Sequence, residues 1–245
     1  MDSKDSQTTL DILVFGAHPD DAELGCGGSI AKWIHEGYKV GIIDLTEGEI
    51  ATRGTPEIRK KEALLAKDIL KVSIRENLGL SDGFFENNST NQLKIIQTLR
   101  KYQPKLVLIN AFEDRHPDHV RAAKLCIDAI FLCGLRKIET YEHNTLQNPW
   151  RPSHYMHYIQ DKFLIPNIVV DITSFMETKM LAIQAYQSQF YNPQSKEPST
   201  YISTPEFWDN IYSRAMEMGR FIGTKYGEGF ILPKPFSLKN ISDLF

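Results

Sequence analysis

Two short clusters of acidic and imidazole side chains stand where metal-assisted chemistry would need them. The first is Gly16-Ala17-His18-Pro19-Asp20-Asp21-Ala22-Glu23 and the second is Glu113-Asp114-Arg115-His116-Pro117-Asp118-His119. His18 and Asp21 lie at i and i+3, so a turn entering a helix can aim both at one point. His119 supplies a third ligand from the other cluster. Two imidazoles and one carboxylate form the protein half of a catalytic zinc site, with a fourth position open for water. Iron and manganese suit the same donors. Asp20 cannot easily bind the same ion in that geometry and is free to act as general base toward the bound water. His116 can polarise a carbonyl or protonate a leaving group, and Asp118 can orient His116 from behind.

Each cluster alone is ambiguous. HPDD also reads as a turn whose Asp caps the next helix, and HPDH as Pro and Asp in a first helical turn. What favours a metal site is that both leave expected central strands. His35, His143, His154 and His157 lack such a context. His35 ends a helix, while His154 and His157 fall in the aromatic run SHYMHY and read as core or rim residues.

The elements that must position these residues are legible as apolar runs. Asp11–Ala17, Lys39–Leu45 and Lys105–Asn110 read as strands buried on both faces, with later strands at Tyr155–Ile159 and Ile168–Ile172. A turn over His18–Gly28 precedes a helix at Ser29–Glu36. Further helices are expected from Pro56 to about Lys71, at Asn91–Tyr102, from about Val120 to Cys133, at Phe175–Gln189 and at Phe207–Tyr226. The alternation predicts an α/β class: a single Rossmann-like domain with a mostly parallel sheet flanked by helices. In such a sheet the first strand and the KLVLIN strand are neighbours across the switch point, so the two clusters should meet. Gly25-Cys26-Gly27-Gly28 is not GxGxxG and lies too far into the helix for a dinucleotide turn.

Composition narrows the classes further. The 245 residues are 42% hydrophobic and 24% charged, with 28 Lys+Arg against 31 Asp+Glu for a net charge of −3. That balance argues against a nucleic-acid partner but leaves room for a local basic pocket. The three cysteines, Cys26, Cys126 and Cys133, form no CxxC pair. They read as small buried hydrophobes in a reducing, cytoplasmic setting. No membrane span or signal-like apolar segment is visible. Residues 1–9 read as a flexible polar tail and residues 10–245 as one domain. Tyr191–Pro205, with three prolines, reads as a surface loop that can serve as a lid or subunit contact.

Several segments together resemble the LmbE/PIG-L deacetylases: AHPDDAELGCGG, TEGE, TPEIRKKEA, EDRHPDHVRAA, SQFY and YGEGF. These are zinc enzymes that remove an N-acetyl group from glucosamine conjugates. The resemblance leans toward the bacillithiol-biosynthesis branch, whose substrate is N-acetylglucosaminyl malate. It implies His18, Asp21 and His119 as zinc ligands, Asp20 as base and His116 beside the oxyanion. It also implies Arg59 and Arg115 as holders of the malyl carboxylates, which suits guanidinium forks. By pattern alone Arg59 reads as a solvated helix residue among Lys60, Lys61 and Glu62. Some relatives use a mobile Tyr at the oxyanion; here Phe207-Trp208 stands nearby, with Tyr191 and Tyr201 as substitutes. Relatives of this branch are commonly hexamers, so the resemblance implies a homo-oligomer acting on a small-molecule glycoside. Three alternatives stay open: a metal- or sugar-binding protein without turnover, a deacetylase of another conjugate, such as one of inositol, and metal-assisted cleavage of an N-glycosidic or phosphate ester bond.

Overall fold

The computed structural model of the chain describes residues 9–235, with 237 and 240. The expected tail thus lies, apart from residue 9, outside the described residues. Three apolar runs form the centre of the sheet: β1 (Ile12–Gly16), β2 (Val40–Thr46) and β4 (Leu106–Ile109). β1 is parallel to β2, with Ile12 opposite Val40, and to β4, with Ile12 opposite Leu106. Outside β2 lies β3 (Ile74–Leu80), also parallel. Beyond β4 come β7 (His154–Tyr158), which is parallel, and then β9 (Gly227–Ile231) and β8 (Ile168–Asp171), each antiparallel to its inner neighbour. The seven-stranded order is β3-β2-β1-β4-β7-β9-β8. A separate hairpin of β5 (Tyr141–Glu142) and β6 (Thr145–Leu146) turns through His143 and Asn144, both at positive φ, as hairpin turns favour.

Continuous apolar strands imply cover on both faces. Leu13 and Phe15 point into one core, with residues of α3 (Ser89–Tyr102) and α4 (Pro117–Leu132). Ile12 and Val14 point into the other, with residues of α1 (Asp21–His35), α2 (Pro56–Leu70) and α5 (Met176–Gln184). A third cluster joins α2 and α5 to α6 (Pro205–Ile222). The single α/β domain with a mostly parallel sheet is therefore as the sequence implied.

Element boundaries differ where local chemistry overrides the pattern. α1 starts at Asp21, eight residues before the expected Ser29, and breaks helical geometry at Cys26 (φ −148°, ψ 21°). A helix resumes where it was expected, with the amides of Gly28 and Ser29 donating to the Glu228 carboxylate at 3.0 and 2.6 Å. Gly25 needs to be glycine because a Cβ there would lie 2.2 Å from the Tyr158 ring. β3 escaped notice because IRENLGL is half-exposed and interrupted by charge. α6 stops at Ile222 rather than Tyr226, with Gly223 at φ 72° closing it. That stop releases YGEGF to form β9. α5 likewise ends at Gln184 rather than Gln189. All three cysteines are free and buried.

Candidate active site

β1 ends on Gly16 and the chain turns sharply through His18-Pro19-Asp20 into α1. Asp20 adopts φ 117°, a left-handed conformation that is strained for a residue with a Cβ. Arg59 of α2 holds this turn: its Nε and Nη2 donate to the Pro19 carbonyl at 3.2 and 2.9 Å, and Nη2 also donates to Asp20 Oδ2 at 2.7 Å. Burial pushes the Asp20 carboxyl up to about 7, with Arg59 pulling it down and Asp21 pushing it further up. Asp21 is fixed from three strand ends. Its Oδ2 accepts from the His18 amide at 3.0 Å and from Asn110 Nδ2, after β4, at 3.1 Å. Its Oδ1 accepts from Gln160 Nε2, after β7, at 2.8 Å.

The second cluster forms the start of α4, and β4 delivers it beside β1 as the switch-point geometry requires. His119 Nε2 lies 3.1 Å from Asp21 Oδ1, and its Nδ1 meets Asp114 Oδ2 at 2.7 Å. His18 repeats this pattern: Nδ1 lies 3.7 Å from Asp21 Oδ2, while Nε2 meets Asp82 Oδ1 at 3.0 Å. Each imidazole therefore turns one nitrogen toward Asp21 and rests the other on a carboxylate, the support a metal-binding histidine takes. Burial disfavours charge on both rings. Even so, Asp118, Asp21 and Asp82 hold the His18 pKa well above its ordinary range, and Asp21 and Asp114 raise that of His119 to about 9. Protons on the imidazoles or one divalent cation can balance these carboxylates, and the two-nitrogen, one-carboxylate donor set suits zinc.

His116 caps α4, its Nδ1 accepting from the Asp118 amide at 3.2 Å. That bond leaves the proton of the neutral ring on Nε2. Burial, reinforced by His18 and His119, lowers its pKa. The ring stacks on His119 at 5.2 Å and meets His18 edge-on at 4.7 Å. Nitrogens of the three imidazoles lie within 4.8 Å of one another. A second set within that range is His18, Asp82 and Asp118. Its carboxylates, however, accept from the amides of Ile50 and Gly83 and from Arg121.

His18, Asp20, Asp21, Asp82, His116 and His119 line one wall of a cavity of about 350 Å³, faced by Ile50–Arg53 and by Thr200–Ile202. Tyr191–Pro205 thus adds to the cavity through Thr200, Tyr201 and Ile202, whereas Tyr191 itself lies outside the lining. Two expectations need correcting. The Asp118 carboxylate does not face His116; it lies 3.4 Å from His18 Nε2, because the first turn of α4 directs it behind the first cluster. Arg59 is not solvated but 6% exposed, since α2 lays it under the strained turn. Arg115 is half-exposed at the mouth, paired with Asp161 and 4.3 Å from the centre of the Tyr201 ring. His157 is buried, bonded through Nδ1 to the Asn110 carbonyl. Asn110, Asp114, Gln160 and Asp82 were not singled out as support residues. Asn110 and Gln160 were detectable as polar residues ending apolar runs.

The PIG-L family model, described as GlcNAc-PI de-N-acetylase, matches residues 13–130, which hold both clusters. The crystal structure of a conserved protein from Thermus thermophilus superposes with a TM-score of 0.83 at 35% identity, covering 95% of this chain and 99% of that one. The chain belongs to the PIG-L family. Diacetylchitobiose deacetylase of Thermococcus kodakarensis is 28% identical to this PIG-L chain over 230 residues, 89% of it and 81% of the relative. A 4-oxalmesaconate hydratase of Pseudomonas putida is 26% identical over 203 residues, 72% of this chain and 73% of the relative. The family match leaves the bacillithiol branch open. Among the described residues no helix is long and apolar enough to cross a membrane.

Proposed function

We propose that this PIG-L protein hydrolyses the acetamide of an N-acetylglucosaminyl conjugate, with zinc held by His18, Asp21 and His119. We further propose that the conjugate carries malate, as in bacillithiol biosynthesis. The observation that carries the reading is the division of labour between adjacent carboxylates. Asp21 lies between the two imidazoles, whereas Asp20 is drawn aside by Arg59 and lines the same cavity.

Zinc, when bound there, supplies Lewis acidity to the acetamide oxygen and lowers the pKa of a water from 15.7 toward about 7. Asp20 takes the proton of the attacking water, a task suited to a carboxyl whose pKa is pushed up to about 7. Arg59 aims that carboxylate while leaving its other oxygen free. Neutral His116 donates from Nε2 to the developing oxyanion, a contact of the kind worth roughly 3 to 4 kcal/mol. Asp20 then returns its proton to the departing amine, so one water and one amide give acetate and a free glucosamine amine. Arg115 at the mouth suits a carboxylate-bearing aglycone.

The test is a panel of N-acetylglucosaminides, with and without malate, assayed for acetate and amine release by zinc-reconstituted protein. The reading expects release from the panel, fastest with the malyl compound. Zinc uptake without acetate would mean a binding protein, and hydration of an unsaturated acid in its place would mean hydratase chemistry. Either result overturns the proposal.

A further inference from the structure

Asp82 follows β3 in the segment Ser81-Asp82-Gly83, and its side chain is 5% exposed. Its two carboxylate oxygens serve different masters. Oδ1 lies 3.0 Å from His18 Nε2, the nitrogen turned away from Asp21. Oδ2 accepts from the Ile50 amide at 3.2 Å, while the Asp82 amide donates to Glu49 at 2.7 Å. Ile50, Ala51 and Thr52 form part of the cavity wall that faces the two clusters. The next residue completes the bracket: the Gly83 amide donates to Asp118 Oδ2 at 2.7 Å. Gly83 has φ +73°, and a Cβ there would lie 2.6 Å from Ile50 Cδ1. The positive φ favours glycine as the segment passes under Ile50.

An imidazole that donates Nε2–H to a carboxylate presents its Nδ1 lone pair to a cation, and that outer bond also fixes the ring's direction. A carboxylate that shares itself between such a ring and a wall amide makes the two move together. We propose that Asp82 is a positioning residue with two outputs: it commits His18 Nδ1 to the cation, and it ties that ligand to the Ile50–Thr52 wall against which substrate rests. The inference depends on the zinc-deacetylase reading above.

The experiment compares wild type with Asp82→Asn, Asp82→Ala and Asp118→Asn. Zinc Kd is read without substrate, by competition with a chromophoric chelator, and KM and kcat are read at saturating zinc. Asp82→Asn is isosteric but cannot accept from both partners, so it stays informative if Asp82→Ala fails to fold. Expected is a 10- to 100-fold weaker zinc Kd together with a raised KM in Asp82→Asn. Asp118→Asn, which contacts His18 but not the wall, should weaken zinc with little change in KM. A purely structural Asp82 would lower the melting temperature and move neither readout. A zinc Kd within twofold of wild type, or an unchanged KM, overturns the coupling. If wild type binds no zinc, the deacetylase reading itself falls and takes this inference with it.

Discussion

Buried charge around α1 is built in two ways, as closed ion pairs inside the fold and as the carboxylate cluster at the strand ends. Under the first turns of α1, Arg75 is clamped between Glu23 at 2.5 Å and Asp44 at 2.7 Å, with the Tyr186 hydroxyl donating to Glu23 at 3.2 Å. At the kink, Lys179 and Glu228 pair at 2.6 Å. Both groups lie outside the cavity lined by the two clusters, and both take their neutralising cation from the chain. At the strand ends, among the described residues, Arg59 pairs with Asp20 and Arg121 with Asp118, while Asp21, Asp82 and Asp114 lie against the imidazoles of His18 and His119. Burying unpaired carboxylates is expensive. The fold matches charge with Arg and Lys inside the closed groups, and sets the carboxylates of the two clusters largely against imidazoles, the donor set that the proposed zinc would use.

Changes on the two sides should therefore fail in different currencies. Asp20→Asn should lower kcat by about 10²- to 10⁴-fold while zinc content, measured on the purified variant, stays at wild-type level. Full turnover in that variant removes the base assignment. Lys179→Met leaves Glu228 buried without its partner and should cost about 3–5 kcal/mol in denaturant unfolding, with zinc affinity nearly unchanged. Adding Glu228→Gln should recover part of that loss. Arg115→Ala should erase most of any preference for the malyl substrate, roughly ten- to hundred-fold in kcat/KM ratio. An unchanged ratio would discard the carboxylate-holding role.

A smaller effect separates the groups by pH. His119 binds its proton more tightly folded, at about 9, than unfolded, near 6.5. Its stabilising contribution in chelator-treated protein is thus complete below pH 6.5 and lost as pH rises toward 9. Zinc-loaded protein should reverse the trend, because zinc requires the deprotonated ring. Melting temperatures across that window, with and without zinc, check the sign.

The two clusters were legible because each combines several chemistry-bearing types in a few residues at the end of an apolar run. Strands buried on both faces were equally plain, and the neighbour relation of β1 and β4 followed from the alternation. What stayed hidden was held by partners distant in sequence. Asp82 was missed because β3, an edge strand with Arg75, Glu76 and Asn77 in its middle, carries no apolar signature. Arg59 looked solvated because its helix is otherwise charged, and only the strained turn at Asp20 explains its burial. Glu228 was hidden inside a glycine-rich segment whose partners, the amides of Gly28 and Ser29, lie some 200 residues earlier.

The position at which a cation settles decides the matter, and anomalous diffraction from crystals grown with zinc reads that position directly. One zinc should appear within about 2.0–2.2 Å of His18 Nδ1, an Asp21 oxygen and His119 Nε2, with Asp20 outside the coordination sphere. Zinc bound instead between His18 Nε2, Asp82 and Asp118, or no peak reached by all three expected ligands, would contradict it.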